Sequence, residues 1–237
     1  DAQGINVINL LPIEQGETAT AVLAIPNFEA GDYLVFGTRR GQVKRSALTQ
    51  FVTFRVNGLL AMNVAPDDEL AWVRLVTDED SVMFFTRNGQ AIRFHLENVR
   101  ASGRTSGGMR GIRLTNDDEV VAMDLVRENA YVLLVTRNGF GKKMPVSDFK
   151  PQGRGGQGLR AIVLNEKLGP VADARTLLSP DEEIVLVSSD GQVIRCGLKD
   201  VPRRRRYAEG VIVMRMKDNV ELLRVARLAD GRDGDSS

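Results

Sequence analysis

The chain has 237 residues, 43% of them hydrophobic, and carries 32 Lys and Arg against 31 Asp and Glu for a formal net charge of +1. That apolar share supports a packed core and excludes global disorder, while a single cysteine, Cys196, excludes an internal disulfide framework and suits a reducing, cytoplasmic setting. No apolar run approaches the ~20 residues of a membrane-spanning helix, and the start Asp1-Ala-Gln-Gly4 does not read as a secretion signal, so no membrane partner is expected.

In chain order, a first strand opens at Gly4 (Gly4-Ile-Asn-Val-Ile8). A phrase then recurs four times: an apolar run, a polar turn closing on Gly, and a basic strand. The copies are Tyr33–Gly41, Val82–Gly89, Tyr131–Gly139 and Ile184–Gly191, with glycines 48, 50 and 52 residues apart. Asn88-Gly89 and Asn138-Gly139 predict hairpins with type I′ turns, Asp190-Gly191 serves equally, and Arg40-Gly41 is a weaker version. The strands entering these turns are almost continuously apolar, which predicts burial on both faces.

Beyond each turn, apolar residues return at Leu48, Leu96, Val146 and Leu198 and again at Phe51, Val99, Phe149 and Val201. A second glycine opens a further strand at Gly58–Met62, Gly111–Leu114, Gly158–Ile162 and Gly210–Val213. Another is expected at Leu70–Val76, Val120–Val126 and Val220–Val225. About four strands per ~50 residues, with no helical periodicity, is the pattern of a propeller-type blade. The fold class is all-β, with about four to five four-stranded antiparallel blades over residues 1–229 and a polar, disordered tail at 230–237. Whether each Gly-first strand pairs with its own blade or a neighbour is left open by the sequence.

Enzymatic signals are poor. His95 is the only histidine and reads as structural; Cys196 sits in the matching strand of a later copy and reads as a structural or surface thiol. The acidic triplets Asp67-Asp68-Glu69, Asp78-Glu79-Asp80, Asp117-Asp118-Glu119 and Asp181-Glu182-Glu183 lack EF-hand spacing and read as solvated turns. No P-loop is present, and neither a catalytic residue, a metal site nor a cofactor is expected.

The basic residues recur in register. The fourth residue after each turn glycine is Arg45, Arg93, Lys143 and Arg195, and the second before it is Arg39, Arg87 and Arg137, with Ser189 in the last copy. The loop that follows carries Arg55, then Arg100, Arg104 and Arg110, then Lys150 and Arg154, then Arg203, Arg204, Arg205 and Arg206. Lys44, Lys142, Arg113 and Arg160 lie on the strands beside them. Equivalent positions of a radial fold share one radius, so these cations are expected to form a curved positive track held apart from the acids, suited to the phosphates of duplex DNA. Strand-edge charge that discourages aggregation is the bland alternative. A propeller scaffold that binds an acidic protein partner is the other functional reading, and a propeller hydrolase a third. In Gln152-Gly-Arg-Gly-Gly-Gln-Gly158, the glycines would let backbone amides approach an anion beside Arg154, or simply make a flexible linker.

Together with Val7–Pro12, the four turn phrases, Gly107-Gly-Met-Arg-Gly-Ile-Arg-Leu114 and Gly210-Val-Ile-Val213, this loop resembles the C-terminal domain of the bacterial DNA gyrase A subunit, with the related topoisomerase IV subunit close behind. The resemblance runs from about Gly4 to Leu228. It implies a β-pinwheel whose blades exchange strands, with double-stranded DNA bent around its rim. The family's box Gln-Arg-Arg-Gly-Gly-Lys-Gly is matched by Gln152, Arg154, Gly155, Gly156 and Gly158, whereas Gly153 and Gln157 replace basic residues. That box normally lies in the first of about six blades; here it follows the third of four hairpins. The resemblance further implies partnership with the remainder of a topoisomerase A subunit, and with a separate ATPase subunit, both lying outside this chain. It gives no strand-breaking role to Tyr33, Tyr131 or Tyr207.

Overall fold

Each of the four repeated phrases folds into a two-stranded hairpin because an apolar run meets a tight turn and returns. In the computed structural model, which describes residues 17–25, 28, 33–52, 58–115, 117–179 and 182–228, these hairpins are β1 (Tyr33–Thr38) with β2 (Gln42–Ala47), β4 (Ser81–Thr86) with β5 (Gln90–His95), β8 (Tyr131–Thr136) with β9 (Phe140–Pro145), and β12 (Glu183–Ser188) with β13 (Val193–Gly197). The strand expected at Gly4, the basic loop residue Arg55 and the tail at 230–237 lie outside the described residues.

The turns are not type I′. Arg40, Asn88, Asn138 and Asp190 keep negative φ, and only the glycines are left-handed, at φ of 80°, 86°, 82° and 82°. The Gly41, Gly89, Gly139 and Gly191 amides donate back to Thr38, Thr86, Thr136 and Ser188 at 3.0–3.1 Å. This is the three-residue hairpin, in which a β-turn is followed by a glycine bulge. The sequence signal located the turn correctly but named the wrong geometry, because asparagine before glycine serves both.

A third strand packs beside each hairpin: β3 (Leu70–Val76), β7 (Val120–Val126), β11 (Val171–Leu177) and β15 (Leu222–Arg227). Sequence reading missed β11, whose Asp173 and Arg175 interrupt the apolar pattern, and placed β15 two residues early. The fourth strand is very short and comes from the next repeat. β6 (Met109–Arg110) pairs with β2, β10 (Leu159–Arg160) with β5, and β14 (Val211–Ile212) with β9. The sheets therefore run β3-β1-β2-β6, β10-β5-β4-β7, β11-β8-β9-β14 and β13-β12-β15, three four-stranded blades and one three-stranded. β6 begins after Gly108, so Gly111 is not the opening glycine of its repeat. Gly58–Met62 forms no strand among the described residues.

Exchange is fixed by a repeated clasp. The carbonyl of Gly41 accepts the amides of Gly111 and Ile112, that of Gly89 those of Ala161 and Ile162, and that of Gly139 those of Val213 and Met214. On each glycine sits the incoming repeat: Ile112 and Leu114 on Gly41, Ile162 and Leu164 on Gly89, and the Met214 backbone with the Met216 side chain on Gly139. A side chain at the turn would collide with it, so glycine is required twice over, by its φ and by the approach.

Blades stack face to face. Val35, Val43 and Trp72 meet Val82, Phe84, Ile92 and Phe94 between the first two, while Met83 and Phe85 meet Val132, Leu134 and Phe149 between the next two. Leu133 and Val135 meet Ile184, Leu186 and Leu222 between the last two. Alternate residues of β4 and β8 thus serve opposite interfaces, which explains their unbroken apolar runs. Near the axis β7 packs on β3 and β11, and β11 on β15. Here buried Asp124 accepts the Thr176 amide at 2.9 Å and buried Asp173 accepts that of Val225 at 3.0 Å.

A Cβ on Gly139 would stand 2.0 Å from the Met214 carbonyl oxygen, whereas one on Gly191 meets nothing within 4 Å. Gly191→Ala should cost only the left-handed penalty of roughly 1–2 kcal/mol. Gly139→Ala should cost at least about 2 kcal/mol more, since the clasp must open. Urea unfolding of both variants measures the difference, and equal losses would contradict the clasp.

Candidate nucleic-acid interface

The exchanged strands carry the basic loops to the outer edge of three blades. Residues 100–110 run outside β2, where Ser102 donates to the Arg45 carbonyl at 2.9 Å. The Gln152–Gly158 loop runs outside β5, where Gln152 donates to the Arg93 carbonyl at 2.8 Å, and Arg203–Arg206 run outside β9, where Arg204 donates to the Lys143 carbonyl at 2.8 Å. Each loop then drops into its edge strand.

One arginine per loop reaches back to the preceding Gly-led segment, which is an edge strand at Arg110 and Arg160 but not at Leu60. Arg104 donates to the Leu60 carbonyl at 3.3 Å, Arg154 to that of Arg110 at 3.2 Å, and Arg206 to that of Arg160 at 3.1 Å. Donors and acceptors keep the same register around the fold. The result is a continuous row in which Arg104, Arg110, Arg154, Arg160 and Arg206 succeed one another, flanked by exposed Arg100, Arg113, Lys150, Arg203, Arg204 and Arg205. Among the described residues none of these pairs with a carboxylate. Between the third and fourth repeats the row borders a groove lined by Asp148, Lys150, Gln152, Arg205, Arg206 and Tyr207. The spacing of 104, 154 and 206 follows the glycine period and was the sequence signal available for this register.

Other expected site residues do different work. Lys44, Arg45, Lys142 and Lys143 are buried, which corrects the expectation that they face outward. Lys44 Nζ donates to the carbonyls of Ala61 and Arg104 at 2.7 and 2.6 Å. Lys142 Nζ donates to those of Arg205, Arg206 and Ala208 at 3.1, 2.6 and 2.8 Å. These ammonium groups gather backbone oxygens and so fix the loops that bear the exposed arginines. Lys143 Nζ donates to the Leu198 carbonyl, and Arg45 lies over the Tyr33 ring and pairs with Asp78. Arg93, half-buried on β5, has its pKa lowered by burial, with Glu128 acting the other way.

The acids are not held apart from the bases, as the sequence suggested. Arg39 pairs with Glu69 at 2.9 Å, Arg87 with Glu119 at 4.0 Å, Arg137 with Glu221 at 2.9 Å, and Arg195 with Glu183. Carboxylates meet Arg39, Arg87 and Arg137 at the hairpin turns and Arg195 at the far end of its hairpin, and leave the described rim-loop arginines uncompensated. His95 accepts or donates one bond with Ser81 across β4 and β5, Nδ1 to Oγ 2.8 Å.

In the Gln152–Gly158 loop two backbone amides are engaged by the fold. Gln152 and Gly155 donate to Arg93 and Gly111, and Arg154 Nε donates to the Asn98 carbonyl at 2.8 Å. Ile92 occupies the place that Lys44 and Lys142 hold in the flanking blades, and Gly156 lets the loop lie against it. Gly158 is left-handed at φ 76°, with the Ala91 carbonyl only 2.5 Å from where a Cβ would stand. These glycines seat the loop on the second blade.

With this geometry in view, the family described as DNA gyrase C-terminal domain, beta-propeller, matches residues 32–77, 80–127, 130–177 and 182–229, one match per blade. The DNA gyrase A subunit of Halalkalibacterium halodurans is 51% identical over 227 residues, covering 96% of this chain and 27% of that protein. A solved structure of a DNA gyrase A C-terminal domain superposes with a TM-score of 0.87 at 26% identity, covering 96% of this chain and 76% of the other. The C-terminal domain of a DNA topoisomerase IV superposes with the same TM-score, 0.87, at 24% identity over 95% of this chain and 70% of that one, and attests the fold. The chain spans about a quarter of the length of the curated relatives it matches. No helix among the described residues is long and apolar enough to cross a membrane.

Burial, reinforced by nearby Arg206 and opposed by Asp148, pushes the Lys142 ammonium down to about 8 from its ordinary 10.5. Between those values the unfolded chain binds a proton that the folded one has released, so stability should rise with pH in that window. Below it the cost of burying the charge is present in full. Lys142→Met should lack this rise relative to the parent chain; parallel unfolding curves from pH 8 to 10 would contradict the assignment.

Proposed function

The chain belongs to the family of DNA gyrase C-terminal domains, and from that membership we propose that its rim binds and bends double-stranded DNA as the wrapping module of a cytoplasmic type II topoisomerase. The observation that carries this reading is the uncompensated row of arginines, repeated at one register along the outer edge of three successive blades. In it, backbone-anchored Arg104, Arg154 and Arg206 alternate with exposed Arg110 and Arg160.

A row of this kind suits a polyanion with regularly spaced charge. Bending 20–30 bp by 40–90° costs on the order of 1–6 kcal/mol. Hydrogen bonds from ionised donors contribute roughly 1.5–3 kcal/mol each, so three or four phosphates held at fixed radius offset the bend. The guanidinium forks are already oriented by carbonyl contacts, which reduces the side-chain entropy lost on binding. Because the row would meet phosphates and not base edges, binding should be nearly indifferent to sequence.

On this reading the wrap delivers a neighbouring duplex segment for strand passage. Cleavage is performed by the rest of the gyrase A polypeptide, and ATP hydrolysis by the ATPase subunit. This chain then supplies no catalytic residue and needs no cofactor of its own.

Engagement of about eight phosphates should make log K fall against log[salt] with a slope near −7. Replacing Arg110, Arg160, Arg204 and Arg205 together by Ala should flatten that slope by about 3–4 and weaken all duplex sequences alike. A flat salt response, or a loss confined to particular sequences, would sink the proposal. Failure of duplex to displace polyglutamate from the rim would favour an acidic protein partner instead.

A further inference from the structure

One aromatic residue stands in the described rim loops. Tyr207 follows Arg206 directly, and its equivalents on the two preceding loops are Thr105, after Arg104, and Gly155, after Arg154. It is 63% exposed, whereas Phe84, Phe85, Phe94 and Phe149 are buried between blades. The Arg206 guanidinium lies 5.2 Å from its ring centroid and also donates to the Arg160 carbonyl, so the ring stands beside a cation that is itself fixed.

Single exposed rings are ordinary on a protein surface; the backbone beneath this one sets it apart. The buried Lys142 ammonium takes the carbonyls of Arg205, Arg206 and Ala208, which lie on both sides of Tyr207. On the first rim loop Lys44 takes one loop carbonyl, that of Arg104, and under the second loop Ile92 stands in place of a lysine. The third loop thus carries its ring at the point where its backbone is clamped. Little conformational freedom remains there to be lost on binding.

The ring borders a groove between the loops outside β5 and β9, so both walls belong to internal blades. Lys150, Gln152 and Leu159 line it on one side, Arg205 and Arg206 on the other. Asp148, the acid in this groove, acts on the Lys142 ammonium and raises its pKa against the effect of burial. Cations therefore flank an uncharged ring. In a bound duplex they suit the phosphates of two backbones, while the ring meets the sugars and base edges that lie between.

We propose that Tyr207 is a wedge that enters the minor groove of the bound duplex at one base step, partly unstacks it, and sets the sharpest bend at the third blade. This rests on the DNA reading and adds to it a contact with the bases. Parting a step is cheapest at flexible pyrimidine–purine steps such as TA. Affinity stays nearly level between duplexes, but the position the rim takes along one of them does not, because a TA step is drawn to Tyr207.

Permanganate, which oxidises unstacked thymine, reads the wedge directly. On a duplex of roughly 30 bp with one central TA step, binding should make the thymine of that step reactive and leave thymines half a helical turn away protected. Tyr207→Ala should abolish the reactivity, weaken binding roughly tenfold and leave the salt slope unchanged, since the ring neutralises no phosphate. Tyr207→Phe should keep it. Circular dichroism reports whether each variant folds, and Tyr207→Thr, the residue of the first loop, replaces an alanine variant that does not. Reactivity that survives loss of the ring overturns the wedge. So does its loss in Tyr207→Phe, which would assign the hydroxyl to a phosphate. A parent chain that binds duplex with the expected salt slope yet leaves every thymine protected overturns the wedge and spares the rim; a chain that binds no duplex overturns both.

Discussion

One constraint organises this molecule: on three successive blades a turn carbonyl is satisfied by amides from the next repeat. A two-residue strand cannot hold a sheet edge alone. It does so here because Gly41, Gly89 and Gly139 each fix two amides and admit the incoming repeat onto their Cα. Removing any side chain from the turn lets the incoming backbone approach, and that approach seals the interface between blades. Stability is therefore shared between neighbours, as in other repeat proteins.

The same exchange decides where charge ends up. It drags each basic loop to the outside of the preceding hairpin, where Lys44 and Lys142 collect backbone carbonyls, Arg154 and Arg206 hold strand carbonyls and Arg104 holds that of Leu60. Cations thus occupy two layers with separate duties. The buried layer neutralises backbone oxygens and shapes the loop. The outer layer is left with its charge uncompensated, while Glu69, Glu119 and Glu221 quench the arginines at the turns. A chain of almost zero net charge can therefore present a positive edge, because the field near a surface follows local imbalance.

The second blade shows that this duty can be met without a lysine. Ile92 replaces the ammonium, and the glycines of Gln152–Gly158 bring the loop backbone directly onto the hairpin. Carbonyl contacts from Arg154 to Asn98 and Arg110 then do from above what the lysine does from below in the adjacent blades. The box also seats its arginine, through the Asn98 and Arg110 carbonyls.

Periodicity alone determined the all-β class, the four hairpins and the arginine-bearing loops, because alternation and turn glycines are local properties that survive without a fold. β11 escaped notice because its Asp173 and Arg175 are polar where the pattern wants apolar residues; they pair with each other and with the backbone of β15 in the next blade. Turn type was misjudged because a residue pair such as Asn-Gly serves both geometries, and the same local bond closes all four turns, Gly191 included. Which of two neighbouring cations, Lys142 or Arg206, reaches solvent could be settled only by tertiary structure. Burial depends on what lies across the blade, and that partner arrives more than sixty residues later, on a strand exchanged between repeats.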